Sequence, residues 1–155
     1  MTKEVVDAAV AEYGTERTNL LPVLHRVSEE KHWLSEDDLT QIAKAFSLPA
    51  AEVHSVASFY SLLSVKPVGK YVIRVCRTIS CHMNGKAAVM DALKKILDIE
   101  LGETTQDNQF TLLETNCMGW CEAAPAMLIN DTVHTNLTPE KVRDIISDYK
   151  NKRGS

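Results

Sequence analysis

Four cysteines, grouped as two close pairs, constrain this chain more than any other feature. The first pair is Cys76 and Cys81 in C-R-T-I-S-C, and the second is Cys117 and Cys121 in C-M-G-W-C, with 35 residues between the pairs. Four thiolates are the ligand set of a soft metal ion or an iron–sulfur cluster. The pattern therefore predicts one metal centre that two distant loops must close around.

The spacing within each pair favours one kind of centre. C-x4-C occurs in the loops of plant-type ferredoxins, so the first pair would bind one iron of a 2Fe–2S centre and the second pair the other. Gly119, inside the second pair, allows a backbone conformation that turns amides towards sulfur. Structural zinc is the main alternative, although its pairs are usually spaced C-x2-C. A redox dithiol of the thioredoxin type also needs C-x-x-C, which is absent. Disulfides or four merely buried cysteines are the remaining alternatives.

Composition places the chain among soluble globular proteins. It has 155 residues, of which 45% are hydrophobic and 25% charged, enough for one domain or two small ones. The net charge of -4 argues against nucleic-acid binding. No apolar run approaches the roughly 20 residues of a membrane span, and the N-terminus lacks a signal peptide's apolar stretch. We therefore expect a cytoplasmic protein without direct membrane insertion, in a compartment where thiols stay reduced.

Residues 1–65 predict a small bundle of four helices with short connections. Thr18 and Ser35 are candidate N-caps, and Ser47 with Pro49 can start the last helix. No cysteine or glycine-rich loop suggests chemistry in this region. The predicted inward positions are Val6, Ala9, Val10 and Tyr13, then Leu20, Val23, Leu24 and Val27, then Leu39, Ile42, Ala43 and Phe46, and finally Val53, Val56 and Tyr60.

The hydrophobic period changes from 3.6 to 2 after Lys66-Pro67-Val68-Gly69, which predicts a second domain at 70–150. Its predicted order is strand, helix, strand, hairpin and helix, followed by a frayed tail from Lys150. This order indicates an α/β unit with helices packed on a mixed sheet. Each cysteine pair lies just past the C-terminal end of a predicted strand, where open α/β sheets usually place their sites. The predicted elements are strands at 70–76, 110–114, 126–129 and 132–135, and helices from about Asn84 and from Thr138.

The chain resembles the thioredoxin-like 2Fe–2S subunit family of NADH dehydrogenases, the small flavoprotein-fraction subunit of respiratory complex I. Close relatives in that family serve NAD-linked and electron-bifurcating hydrogenases and NAD-dependent formate dehydrogenases. The resemblance covers about residues 2–150. It is carried by Glu52-Val53, Val56-Ala57-Ser58-Phe59-Tyr60, Cys76, Cys81, Gly85, Glu114, Cys117, Gly119, Cys121 and Ala124-Pro125.

The resemblance implies a fold, a ligand set and a partner. The fold would be α/β, with an N-terminal helical bundle (1–65) that docks a partner and a thioredoxin-like ferredoxin domain (70–150) with a mixed sheet. The ligands of one 2Fe–2S cluster would be Cys76, Cys81, Cys117 and Cys121. FMN and NAD(H) would be bound only by a partner subunit, which carries a further iron–sulfur cluster and works with a further catalytic subunit. The absence of G-x-G-x-x-G from this chain agrees with that division.

The function that follows is one-electron transfer, without bond-making catalysis by this chain itself. The compact sequence favours a soluble NAD-linked or electron-bifurcating hydrogenase as the host. Bacterial complex I and NAD-dependent formate dehydrogenase are the alternatives. A zinc-stabilised adaptor and a free-standing thioredoxin-like ferredoxin are hypotheses from other classes.

Four residues near the cysteines have secondary interpretations. His82, beside Cys81, is interpreted as a loop histidine because four cysteines already complete a ligand set. Trp120 either shields the cluster from water or fills a crevice. Arg77 and Lys86 could add positive charge beside an anionic centre.

Overall fold

The computed structural model describes residues 2–152. The chain divides between Val68 and Gly69 into two compact units, and each unit has its own cluster of buried apolar side chains. Within the described residues, none of the helices combines the length and the apolarity that crossing a membrane requires.

The described part of the first unit contains four α-helices. They are α1 (Thr2–Tyr13), α2 (Leu20–Lys31), α3 (Glu36–Phe46) and α4 (Ala50–Phe59). A 3-10 turn at Arg17–Asn19 precedes α2, whose N-cap is Asn19 and not the predicted Thr18. All predicted inward positions of α2 and α3 are buried, because their apolar residues recur with helical spacing on one face.

The N-terminus of α3 is fixed by a capping box. Ser35 Oγ accepts a hydrogen bond from the Asp38 N–H (3.2 Å), and the Asp38 carboxylate accepts one from the Ser35 N–H (2.9 Å). The predicted cap at Ser35 is therefore confirmed. The Asp38 side chain is fully buried, and Lys31 Nζ lies 2.5 Å from its Oδ1.

Two tyrosines predicted to point inward do not. Tyr13 is 39% exposed and Tyr60 is 40% exposed. Tyr60 has extended backbone at the C-cap of α4, so the helical period on which its prediction depended ends at Phe59. Tyr13 is the last residue of α1, where no following turn continues the buried face.

The second unit has three α-helices and a four-stranded sheet within the described residues. The sheet order is β2-β1-β3-β4, with β1 parallel to β2 and antiparallel to β3, so the predicted mixed sheet is confirmed. The elements are β1 (Tyr71–Cys76), α5 (Ile79–Met83), α6 (Lys86–Leu97), β2 (Phe110–Thr115), β3 (Met127–Ile129), β4 (Thr132–His134) and α7 (Pro139–Asn151).

One sheet face packs against α6 and α7. Ile73 and Val75 of β1 pack in this core with residues of α6, β2, β3 and α7. Gly69 begins the unit where the chain passes the backbone of Gln109 and Phe110 so closely that a Cβ would lie 2.9 Å from its atoms. Only glycine fits there without displacing β2. The other members of this core are Val89, Met90, Leu93, Leu97, Phe110, Leu112, Met127, Ile129, Leu137, Val142 and Ile146.

Two local predictions for this unit are wrong. A short helix, α5, occupies part of the expected cysteine loop. The helix predicted from about Asn84 is present as α6, which starts at Lys86 after Gly85 at φ 96°. At the other end, α7 continues to Asn151 instead of fraying from Lys150, whose Nζ donates to the Ile96 carbonyl (3.2 Å). The rest of the predicted tail, 153–155, lies outside the described residues.

Candidate metal centre

The pairing of β1 with β2 brings the two cysteine loops to one edge of the sheet. Cys76 is the last residue of β1 and lies opposite Thr115, the last residue of β2. Cys117 follows two residues later. Because these neighbouring strands are parallel, their C-terminal ends meet, and both loops start side by side.

The first loop places two buried thiols close to backbone and hydroxyl groups. Cys76 is 2% exposed, and its Sγ lies 3.1 Å from Thr78 Oγ1. Thr78 precedes α5, and the single turn of that helix carries Cys81, which is 1% exposed. Both thiols of this pair are therefore shielded from water.

The second loop is more open. Cys117 and Cys121 are exposed free thiols whose sulfurs lie 3.2 Å apart, well beyond the length of a disulfide bond. Gly119 lies between them with φ 86°, a conformation that glycine adopts without strain. Its N–H donates to Cys117 Sγ at 3.4 Å, so the turn directs an amide at a sulfur as the sequence suggested.

Contacts between the loops show that they converge. The backbone of Met118, in the second loop, lies close enough to the thiol of Cys76, in the first, to lower its pKa. Ser80 Oγ donates to the Cys121 carbonyl at 3.4 Å. Cys121 also interacts electrostatically with Cys76 and Cys81. The two cysteine loops therefore lie side by side at the end of the sheet.

The thiol pKa values reflect this crowding. Burial opposes ionisation of Cys76, but hydrogen bonds from Thr78, Cys81 and Met118 outweigh it and lower the pKa of Cys76. Burial raises the pKa of Cys81, as does the neighbouring Cys76. Its hydrogen bond and charge interaction with Cys117 raise the pKa of Cys121. Four ionised thiols would repel one another, so a positively charged centre between them is needed to hold all four as thiolates.

The sulfurs fit a two-iron centre because they are arranged two and two. Side-chain hydrogen bonds link Cys76 with Cys81 and Cys117 with Cys121. Among the residues that the structure describes, no three His, Cys, Asp or Glu side chains are grouped closely enough to hold a metal ion, so the cysteines are close within each pair and not across the pairs. A 2Fe–2S rhomb takes two thiolates on each iron, which is the grouping that these loops provide.

Lys86 and Arg77, which the sequence suggested as positive charges beside the centre, each have another partner in the structure. Lys86 is not a free cation, because its Nζ forms an ion pair with Glu114 Oε1. The Arg77 side chain donates from Nε to Asn116 Oδ1 (3.0 Å). Sequence reasoning missed the ion pair because Lys86 and Glu114 are separated by 28 positions, and only the packing of α6 beside β2 brings them together.

Apolar side chains are exposed beside the cysteines. Ile79 and Met83, one helical turn apart on α5, are 77% and 80% exposed, and Trp120 is 44% exposed. Trp120 is thus only partly covered in this unit. His82 is exposed next to the buried Cys81.

Comparison with known proteins agrees with this architecture. The family model described as thioredoxin-like [2Fe-2S] ferredoxin matches residues 6–150. The chain is 36% identical over 148 residues to the E subunit of NADH-quinone oxidoreductase from Escherichia coli (strain K12), covering 96% of this chain and 89% of the relative. The protein of the same name from Salmonella typhimurium (strain LT2) shows the same identity and coverage.

A solved structure with a similar fold is an NAD+-reducing [NiFe]-hydrogenase in the air-oxidised state. The TM-score is 0.76 at 29% sequence identity, over 86% of this chain. The match spans 23% of the hydrogenase chain, so this chain corresponds to less than a quarter of that polypeptide.

Proposed function

The chain belongs to the thioredoxin-like [2Fe-2S] ferredoxin family, and from that premise we propose that Cys76, Cys81, Cys117 and Cys121 bind one 2Fe–2S cluster. The convergence of four free thiols from two loops, as two pairs, carries this proposal. The sheet fixes the position of Cys76, and α5 fixes that of Cys81.

The surroundings of the thiols suit an electron carrier. When bound, a 2Fe–2S cluster accepts and releases one electron. The buried pair, Cys76 and Cys81, holds one side of the site away from water, whereas Cys117 and Cys121 leave the other side near the surface. Amide and hydroxyl donors to sulfur stabilise negative charge on the thiolates. Electrons would therefore be exchanged across the exposed second loop.

We propose that the electron partner is the FMN of another subunit in a cytoplasmic NAD(P)H-linked oxidoreductase complex. The relatives' names support a subunit role, because they are NADH-quinone oxidoreductase subunits, and the structural neighbour is an NAD+-reducing hydrogenase. Sequence reasoning favoured a hydrogenase-type host over complex I or formate dehydrogenase. The comparisons support the hydrogenase and complex I types alike, so isolation of the complex has to distinguish them.

The helical unit is proposed to dock the flavin-binding partner. Phe59, the last residue of α4, is 80% exposed, and Leu62, three positions later, is 50% exposed. Apolar side chains this exposed are suited to a protein interface. The four-helix core itself is complete without them.

The ligand assignment is tested by metal analysis and EPR spectroscopy. We expect about two irons and two acid-labile sulfides per chain, visible absorption bands, and an EPR signal after reduction. Cys117→Ser should remove or strongly alter that signal, whereas Met118→Leu in the same loop should leave it intact. Unchanged iron and EPR signal in Cys117→Ser would contradict the assignment. Zinc without iron would identify a zinc-stabilised adaptor instead.

The subunit role is tested by isolating the tagged chain from its own cells. We expect it to co-purify with an FMN-containing subunit that oxidises or produces NADH. A hydrogenase catalytic subunit, a molybdenum enzyme or membrane subunits in the same preparation would identify the host. A brown protein that purifies alone under conditions that preserve complexes would instead be a free-standing ferredoxin.

A further inference from the structure

We propose that the Lys86–Glu114 ion pair sets the electrostatic balance beside the two cysteine loops and thereby tunes the reduction potential of the cluster. The inference rests on the cluster assignment made above. It assigns these two side chains a role in electron transfer rather than in folding alone.

The pair joins the two segments that carry the ligands. Lys86 is the first residue of α6, five positions after Cys81, and Glu114 lies on β2, three positions before Cys117. Lys86 Nζ contacts Glu114 Oε1 across 28 positions of sequence. One ion pair thus spans the exit of the first loop and the entry of the second.

Strand register places the pair close to a ligand. Glu114 is the partner of Val75 in the β1–β2 ladder, and Cys76 is the next residue along β1. Strand spacing and rise put the Cα atoms of Glu114 and Cys76 about 6 Å apart. The Glu114 backbone is thus within one Debye length of the Cys76 backbone, and the Glu114 side chain lies on the sheet face of Val75, opposite to that of Cys76.

The pair is also shielded from solvent, so water screens neither charge completely. The Lys86 side chain is 12% exposed and the Glu114 side chain 26% exposed. The Lys94–Glu100 pair, further along α6, is 32% and 71% exposed. Water and salt screen the second pair more strongly than the first.

The two charges should act on the potential in opposite directions. Reduction adds one negative charge to a cluster that its thiolates already make anionic. Lys86 alone would stabilise the reduced state, and Glu114 alone would destabilise it. When the two charges are paired, their effects on the reduction potential largely cancel. Removing either charge leaves the effect of the other on the cluster uncompensated.

Redox titration of the purified, full-length protein at pH 8, followed by EPR, tests the proposal. Lys86→Met should lower the midpoint potential, because Glu114 remains unpaired. Glu114→Gln should raise it, because Lys86 remains unpaired. The double variant should return towards the wild-type value. Lys95→Met, which removes the same charge from an exposed position on the same helix, should shift the potential much less.

Midpoint potentials that shift in opposite directions in the two single variants would show that the charges act on the cluster. A purely structural role would change stability without opposite shifts in potential. Single variants that leave the potential unchanged, or shift it in the same direction, would overturn the inference. If Lys86→Met fails to retain iron, Glu114→Gln decides, because it preserves the side-chain shape. Loss of iron from both variants, with iron retained in the wild type, would show a structural role and also overturn it. A wild-type protein without iron would defeat the cluster assignment instead.

Discussion

At the scale of single residues, Asp38 shows how a charged side chain is accommodated inside the helical unit. Its carboxylate is fully buried, yet it accepts from the Ser35 N–H and hydroxyl and pairs with Lys31. A buried charge is tolerated when such partners replace water. The same carboxylate caps α3, so one residue links helix initiation to the core.

Asp38→Ala should therefore destabilise the chain markedly. We expect a loss of about 3 kcal/mol in the free energy of unfolding, since the cap and a buried ion pair disappear together. Urea unfolding followed by circular dichroism measures it. Asp37→Ala removes an exposed carboxylate from the same helical turn and should cost under about 1 kcal/mol. Equal losses in the two variants would contradict the role of burial.

His134 provides a pH-dependent contribution at the same scale. Burial lowers the pKa of His134 below its ordinary value of 6.5, and Lys141 and Lys152 lower it further. The imidazole Nε2 is buried with no hydrogen-bond partner among the described residues. A proton therefore binds the unfolded chain more readily than the folded one.

Stability from His134 should be present above pH 6.5 and be lost as the pH falls through the folded pKa. We expect the urea midpoint of the wild type to fall between pH 7.5 and 5.5, and to fall less in His134→Gln. His54→Gln, at an exposed position, is the control for removing an imidazole. The same pH dependence in His134→Gln and the wild type would refute this contribution.

At the scale of elements, the turn between Cys117 and Cys121 depends on one glycine. Gly119 has φ 86° and directs its N–H at Cys117 Sγ. A Cβ there would meet no atom within 4 Å, so the backbone conformation alone requires glycine. The turn thereby orients an amide towards sulfur without help from side-chain packing.

Gly119→Ala should cost about 1–2 kcal/mol in backbone strain and reduce the iron content or shift the EPR signal. Gly102→Ala is a matched control, because Gly102 has φ 90° and equally open surroundings in a loop outside the cysteine segments. It should show similar strain and normal iron content. Normal iron and an unaltered signal in Gly119→Ala would show that the turn does not depend on glycine.

At the scale of the whole molecule, the two units have separate buried clusters but only the second carries cysteines. Binding of a metal centre stabilises the folded state that forms its site. The stabilisation by the metal centre should therefore be confined to the second unit. Removal of iron tests whether the first unit holds its fold independently of the centre.

Chelation of iron under reducing conditions should speed hydrogen exchange at 71–83 and 110–129. Exchange in α2 and α3 should stay within the error of the measurement, because their core contains no residue of the second unit. Mass spectrometry of peptides from the whole chain measures both regions in one sample. Equal acceleration in both would show that the units do not respond separately.

The sequence predicts helices and their caps correctly where residues close in the chain are enough to determine them. The stripes of α2 and α3 and the caps at Ser35 and Thr138 each depend on residues close in the chain. Predictions failed at element ends, as at Tyr60 and in the turn that became α5. At Tyr60 the helical spacing of apolar residues continues past the end of the helix, and α5, with five residues, is too short to show a hydrophobic period.

The sequence by itself determined the cysteine pairs and the strands that precede them, because thiol chemistry and alternating hydrophobicity are properties of short segments. Only the tertiary structure decided that β1 and β2 are neighbours and parallel, which brings the pairs together. It also decided that Lys86 meets Glu114. Such long-range contacts depend on the packing of the whole unit, and no local spacing encodes them.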